Sequence, residues 1–146
     1  MTLAILNGPN LNLLGEREPS IYGRQSFDQY FSHLCERYPQ HQLVQQQENE
    51  EGKLVAALQH WGAKAEGIIL NPAAFSHTSI AVADAVAALK IPVVEVHISN
   101  LYRREGFRQQ SYVSAYAAGL ISGLGLHGYA LAVEWFGMPG TTAIPD

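Results

Sequence analysis

At 146 residues with a net charge of -4 at neutral pH, the chain fits one domain, able to bury roughly 70% of its unfolded surface without disulfide staples. Its 47% hydrophobic and 15% charged content excludes a disordered or fibrous class, and the negative balance argues against general nucleic-acid binding. The lone Cys35 rules out an internal disulfide and a thiolate metal cage and reads as a core filler.

The chain starts with a short apolar run, Leu3 to Leu6, read as a first strand. It passes at once into the polar stretch Asn7-Gly8-Pro9-Asn10, unlike a secretory leader, and no later segment approaches the ~18 apolar residues of a membrane span, so a cytoplasmic protein is expected. The Gly-, Pro- and Asn-rich stretch from Asn7 to Gln25 is too long for a mere connection and is expected to be functional. Ser26 stands at capping-box distance from Gln29, and Phe27, Tyr30, Phe31, Leu34 and Tyr38 follow at helical spacing until Pro39. Gln42 to Gln47 gives a second strand, then Leu54, Val55, Leu58 and Trp61 make a second helix that Gly62 can cap. Gly67 to Leu70 is a third strand. Ser76 or Thr78 can start a third helix through Leu89, after which Pro92 to Val96 is a fourth strand. Ala118 to Ser122 reads as a fifth strand and Gly128 to Phe136 as a last helix.

This alternation predicts an α/β fold: a flavodoxin-like three-layer sandwich around a five-stranded parallel sheet of order 2-1-3-4-5. Residues 1–136 form one catalytic domain in this reading, and Gly137 to Asp146 a loose tail.

In such sheets ligands bind outside the carboxyl ends of the strands, which points to Asn7, Asn71 and His97 at the steps from apolar to polar. Each asparagine is open to a plainer reading as a turn former. Glu95 and His97 share one strand face, so the carboxylate orients the imidazole and favours its charged form, as a general acid needs; a structural ion pair is the alternative. A carboxylate on an otherwise apolar central strand is too costly to keep unpartnered. On the long loop, Arg17 and Tyr22 lie five residues apart: a nearby guanidinium could keep a phenol ionised as a base, although Glu16, Arg17 and Glu18 also read as a solvated charge run. No metal-ligand spacing, dinucleotide fingerprint, P-loop or nucleophile elbow is present, which leaves acid and base groups as the candidates.

The stretch Asn7-Gly8-Pro9-Asn10-Leu11-Asn12-Leu13-Leu14-Gly15 with Arg17, Pro19, Tyr22 and Gly23 resembles the type II 3-dehydroquinate dehydratases. So, in the same order, do Ile69 to Pro72 with His77-Thr78-Ser79, and Glu95 to Asn100 with Arg104 and Phe107-Arg108, the likeness running from about Leu3 to Phe136. The resemblance implies dehydration of 3-dehydroquinate to 3-dehydroshikimate by anti elimination through an enolate, without metal, Schiff base or other cofactor. The setting would be chorismate and aromatic amino acid biosynthesis, or else quinate breakdown. It implies that Tyr22 is the base, Arg17 keeps it ionised, Asn10 positions a water on the enolate oxygen, and His97 with Glu95 protonates the departing hydroxyl. Asn71, His77 and Arg108 would bind substrate hydroxyls, the amides of Ile98 and Ser99 its carboxylate, and Arg104 would be structural or interfacial. Family members form dodecamers of trimers in which the residue matching Asp84 reaches a neighbour's site; alone, Asp84 reads as a solvated charge. The chain departs from the family pattern at Glu48-Asn49-Glu50-Glu51-Gly52, Ala73, Phe75 and Arg103. A flavodoxin-like FMN or phosphate module would instead need a Ser/Thr/Gly cradle after the first strand, and an inactive scaffold would have lost some of Tyr22, Arg17 and His97.

Overall fold

The computed structural model describes residues 1–16 and 18–141, and at Tyr22 the backbone alone. Arg17, half of the expected base pair, therefore lies outside the described residues, as do the Tyr22 side chain and tail residues 142–146.

Five strands, β1 (Thr2–Asn7), β2 (Gln42–Gln47), β3 (Gly67–Asn71), β4 (Val93–His97) and β5 (Gly119–Ser122), pair in the order β2-β1-β3-β4-β5, as the alternating pattern predicts. All four pairings are parallel. Strand side chains alternate between faces. Leu3, Ile5, Ile69, Val94 and Val96 therefore meet one helical layer, while Ala4, Leu6, Ile68, Leu70 and Val93 meet the other. The first layer holds α2 (Phe27–Arg37) and α5 (His127–Phe136), the second α3 (Glu51–Gly62) and α4 (Ile80–Ala87). A one-turn helix, α1 (Pro19–Tyr22), interrupts the long loop after β1. Its four residues were not legible as a helix because so short a segment carries no amphipathic period.

The capping box of α2 forms as expected, Ser26 Oγ accepting from Gln29 N and Gln29 Oε1 from Ser26 N, each at 3.2 Å. Three expectations need correction. Gly62 does not cap its helix but is its last residue, ahead of Ala63; a Cβ there would lie 2.4 Å from the end of the Leu89 side chain, which would have to shift to admit it. Neither Ser76 nor Thr78 starts α4: Ser79 does, its hydroxyl accepting from Val82 N at 2.9 Å. Residues 73–77 form a 3₁₀ turn instead, which frees Ser76 to point into the interior. Cys35 is half-buried rather than part of the core.

β1, β3 and β4 each run one residue further than the apolar runs suggest, because Asn7, Asn71 and His97 keep ladder geometry. Asn7 pairs with Asn71, and His97 with Ser122. These polar side chains thus sit on the last rung of the sheet, held by its backbone rather than by a loop.

Candidate active site

Glu95 and His97 alternate with Val94 and Val96, so both project from β4 toward the α4 side of the sheet. Glu95 is fully buried and His97 is 5% exposed. His97 Nε2 lies 2.7 Å from Glu95 Oε1. Serine hydroxyls surround the rest of the carboxylate. Ser76 Oγ donates to Oε1, Ser114 Oγ to Oε2, and Ser111 Oγ lies 2.9 Å from Oε1 and 3.1 Å from Oε2. Burial alone would push this carboxyl up, but the hydrogen bond and charge of His97 and the hydroxyls of Ser114 and Ser76 outweigh it, and the group ends below its ordinary range. An ionised Glu95 requires His97 to carry its proton on Nε2, leaving Nδ1 for other partners.

Asn7 and Asn71 project to the opposite side, toward α5. Tyr129, fully buried on that helix, donates its hydroxyl to Asn7 Oδ1 and accepts from Asn71 Nδ2, both at 2.8 Å. Burial drives the Tyr129 phenol far above its ordinary range, so it stays a neutral donor. Asn71 Oδ1 accepts from Ala73 N at 3.1 Å. That bond shapes a turn in which Ala73 is left-handed at φ 52°, a conformation costing a non-glycine residue about 1–2 kcal/mol. Ala73, one of the departures from the family pattern, thus carries local strain.

A cavity opens above these strand ends. One wall comes from the loop after β1, through Pro9, Asn10, Leu11, Leu13 and Leu14; another from Asn71, Ala73, Ala74 and His77; the third from His97, Ile98, Ser99, Leu101, Arg104 and Arg108. The structure therefore gathers Asn10, Asn71, His77, His97, Ile98, Ser99 and Arg108 around one space, with Glu95 behind His97. Asp84 does not line it and stands exposed on α4.

His77 stacks on His97, ring centroids 5.9 Å apart, and its Nδ1 meets the Gln110 carbonyl at 2.7 Å. Burial holds its pKa below the ordinary 6.5, the nearby His97 and Arg108 lowering it further against the pull of that carbonyl. Neutral at pH 7, His77 donates through Nδ1 and keeps Nε2 as an acceptor. Glu105 accepts from Arg108 Nε at 2.8 Å, orienting that guanidinium at the rim. Arg104 donates to Ser99 Oγ at 3.3 Å and also lines the cavity wall. The acidic departures also have partners: Glu48 accepts from Gln46 at 2.8 Å, and Glu50 pairs with Lys53 at 2.7 Å. Asn49 Oδ1 accepts from the backbone amide of Asn10 at 3.0 Å, holding it at φ 70°.

Five residues were not read from the sequence as parts of the site: Ser76, Ser111 and Ser114 around Glu95, Tyr129 beneath the asparagines, and Asn49 beside Asn10. A buried glutamate on an apolar strand did signal that donors must exist, but not which ones. Nothing in an apolar helix marks Tyr129 as more than packing. Among the described residues, no three His, Cys, Asp or Glu side chains lie close enough to share a metal ion, and no helix is long and apolar enough to cross a membrane.

Comparison with known proteins gives concordant findings. A family model described as dehydroquinase class II matches residues 1–137. A 3-dehydroquinate dehydratase of Roseiflexus castenholzii is 47% identical over 137 residues, covering 92% of this chain and 87% of its own. A 3-dehydroquinate dehydratase 2 of Pseudomonas aeruginosa is 46% identical over 138 residues, with 92% and 93% covered. The crystal structure of a type II dehydroquinase from Propionibacterium acnes superposes with a TM-score of 0.88 at 42% identity, over 92% of this chain and 94% of that one.

Proposed function

Because the chain belongs to the class II dehydroquinase family, we propose that its cavity divides the dehydration of 3-dehydroquinate between Tyr22 as base and His97 as acid. The enzyme is a hydro-lyase of the shikimate pathway, converting 3-dehydroquinate to 3-dehydroshikimate and water. Ionised Tyr22 takes a proton from the methylene beside the ketone, and the electron pair moves onto the ketone oxygen as an enolate. Holding a phenolate at pH 7 takes about 4 kcal/mol of preference for the anion, which the Arg17 guanidinium supplies. Asn10 positions a water on the enolate oxygen. The enolate then collapses, and the hydroxyl on the next carbon leaves as water with a proton from His97.

Asn71, His77 and Arg108 bind the substrate hydroxyls, and the amides of Ile98 and Ser99 hold its carboxylate. The neutral state of His77 supports its part, since Nε2 can accept from a hydroxyl while Nδ1 is engaged by Gln110. Among the described residues no lysine lines the cavity, in keeping with a route through an enolate rather than an imine. The observation that carries the assignment is the buried Glu95–His97 pair at 2.7 Å on the cavity floor.

Residues 1–136 are the catalytic unit, acting in the cytoplasm as a dodecamer of trimers with Asp84 serving a neighbour's site. Support comes from α4, which is apolar nearly all round yet exposes Ile80 and Asp84; a helix of that composition belongs in an interior or interface.

Chelator-treated protein given 3-dehydroquinate alone is expected to produce the ultraviolet absorbance of the conjugated enone. Tyr22→Phe should lose both turnover and proton exchange at the substrate methylene, by at least about a hundredfold. His97→Ala should slow elimination comparably while leaving exchange in place. Silence from the folded wild type would overturn the reading, and loss of exchange in His97→Ala would overturn the division of labour.

A further inference from the structure

We infer that Ser76, Ser111 and Ser114 are positioning residues that hold Glu95 as a carboxylate and thereby fix the direction in which His97 gives up its proton. The inference rests on the assignment of His97 as the acid.

A carboxylate offers about four lone-pair sites. Among the described residues Glu95 meets four donors: three hydroxyls and the His97 ring N–H. The direction of each hydroxyl proton follows from its other contacts. Ser111 Oγ accepts from the amides of Val113 and Ser114 at 3.2 and 3.1 Å, so its own proton goes to Glu95. Ser76 Oγ lies 3.1 Å from His97 Nε2 and can accept a share of that N–H while donating to Glu95. Ser114 Oγ has the carboxylate as its acceptor. Moving the Nε2 proton onto Glu95 would leave the three serine hydroxyls donating to a neutral carboxyl, a weaker acceptor than the carboxylate they surround. Glu95 therefore does not take the proton of His97, and Nδ1 is the nitrogen through which the acid acts.

The charged and titratable groups that bear on Glu95, among the described residues, are few. They are His97 on its own strand, His77 from the 73–77 turn, and beyond it Arg108 from the 106–109 turn. The facing strand residues, Leu70 on β3 and Leu120 on β5, carry no charge. The serines come from two separate segments, so they also latch the 111–114 loop to the strand that carries the acid.

Removing a hydroxyl takes away a bond made only to the ionised form, which raises the carboxyl pKa. Activity that needs the carboxylate is then lost at a higher pH on the acid side. Ser114→Ala and Ser76→Ala are each expected to move the acid limb of the kcat profile up by at least about one pH unit. KM and the rate of substrate methylene exchange should stay within about twofold, since exchange belongs to Tyr22. Ser114→Thr, which keeps a hydroxyl, should return the limb to its wild-type place.

A second measurement does not depend on turnover. Infrared titration of the resting enzyme, with Glu95→Gln to mark the band, should show a carboxylate persisting to lower pH in wild type than in either alanine variant. Nitrogen-15 NMR should find His97 protonated on Nε2. An unmoved acid limb and carboxylate titration in the alanine variants, or a His97 tautomer with the proton on Nδ1, overturns the inference. If the wild type fails to dehydrate 3-dehydroquinate, the assigned reaction falls while the infrared and NMR results still judge the serine cage. Should one alanine variant fail to fold, the other and Ser111→Ala carry the same test.

Discussion

Tyr129 bonds to Asn7 and Asn71 at once, tying α5 to the ends of β1 and β3. Replacing it by Phe preserves the ring contacts with Phe27 and Tyr30 but leaves one buried carbonyl and one buried amide without their partner. An unsatisfied buried group costs about 1–3 kcal/mol. Tyr129→Phe should therefore lower the free energy of unfolding in urea by at least about 1–3 kcal/mol, with a matching fall in the midpoint, and KM should rise because Asn71 is no longer held. An unchanged midpoint with an unchanged KM would mean that water replaces the hydroxyl without loss. Ala73 shows the opposite economy: its left-handed backbone is held by the Asn71 side chain at the edge of the cavity.

The elements place these residues through close approach of the loops that leave β1 and β3. Gly8 N donates to the Asn71 carbonyl at 2.7 Å, and a Cβ on Gly8 would sit 2.5 Å from the Pro72 carbonyl oxygen. That neighbour is backbone and cannot swing aside. Gly8→Ala should push the two loops apart by a sizeable fraction of an ångström, and a misplacement of about 1 Å can cost about a hundredfold in rate. Circular dichroism should change little while kcat/KM falls; full activity would show that the loops have more slack than their contact suggests. The sheet order, four of the longer helices and the Glu95–His97 pair were legible because apolar periodicity and strand alternation are local properties of the chain. The 3₁₀ turn at 73–77 and the serine cage were not, since Ser111 and Ser114 find Glu95 only when the chain crosses the sheet end. A polar side chain's partner across that distance leaves no periodic trace.

At the scale of the molecule, one side of the sheet carries the acid, the other the buried Tyr129 network, and the exposed face of α4 lies apart from both. Ile80 is 64% exposed, one turn before Asp84. If α4 is an interface in the proposed assembly, Ile80→Glu places a charge there, and sedimentation should report a smaller particle with reduced activity. A variant that sediments like wild type would remove α4 from the contact. The bond from Tyr129 to Asn7 also has a meaning in time. Asn7 leaves the ribosome 122 residues ahead of the partner it waits for. A nascent chain can lay down β1 to β4 and still lack the strut behind its catalytic floor, so the site is completed only once α5 has been translated.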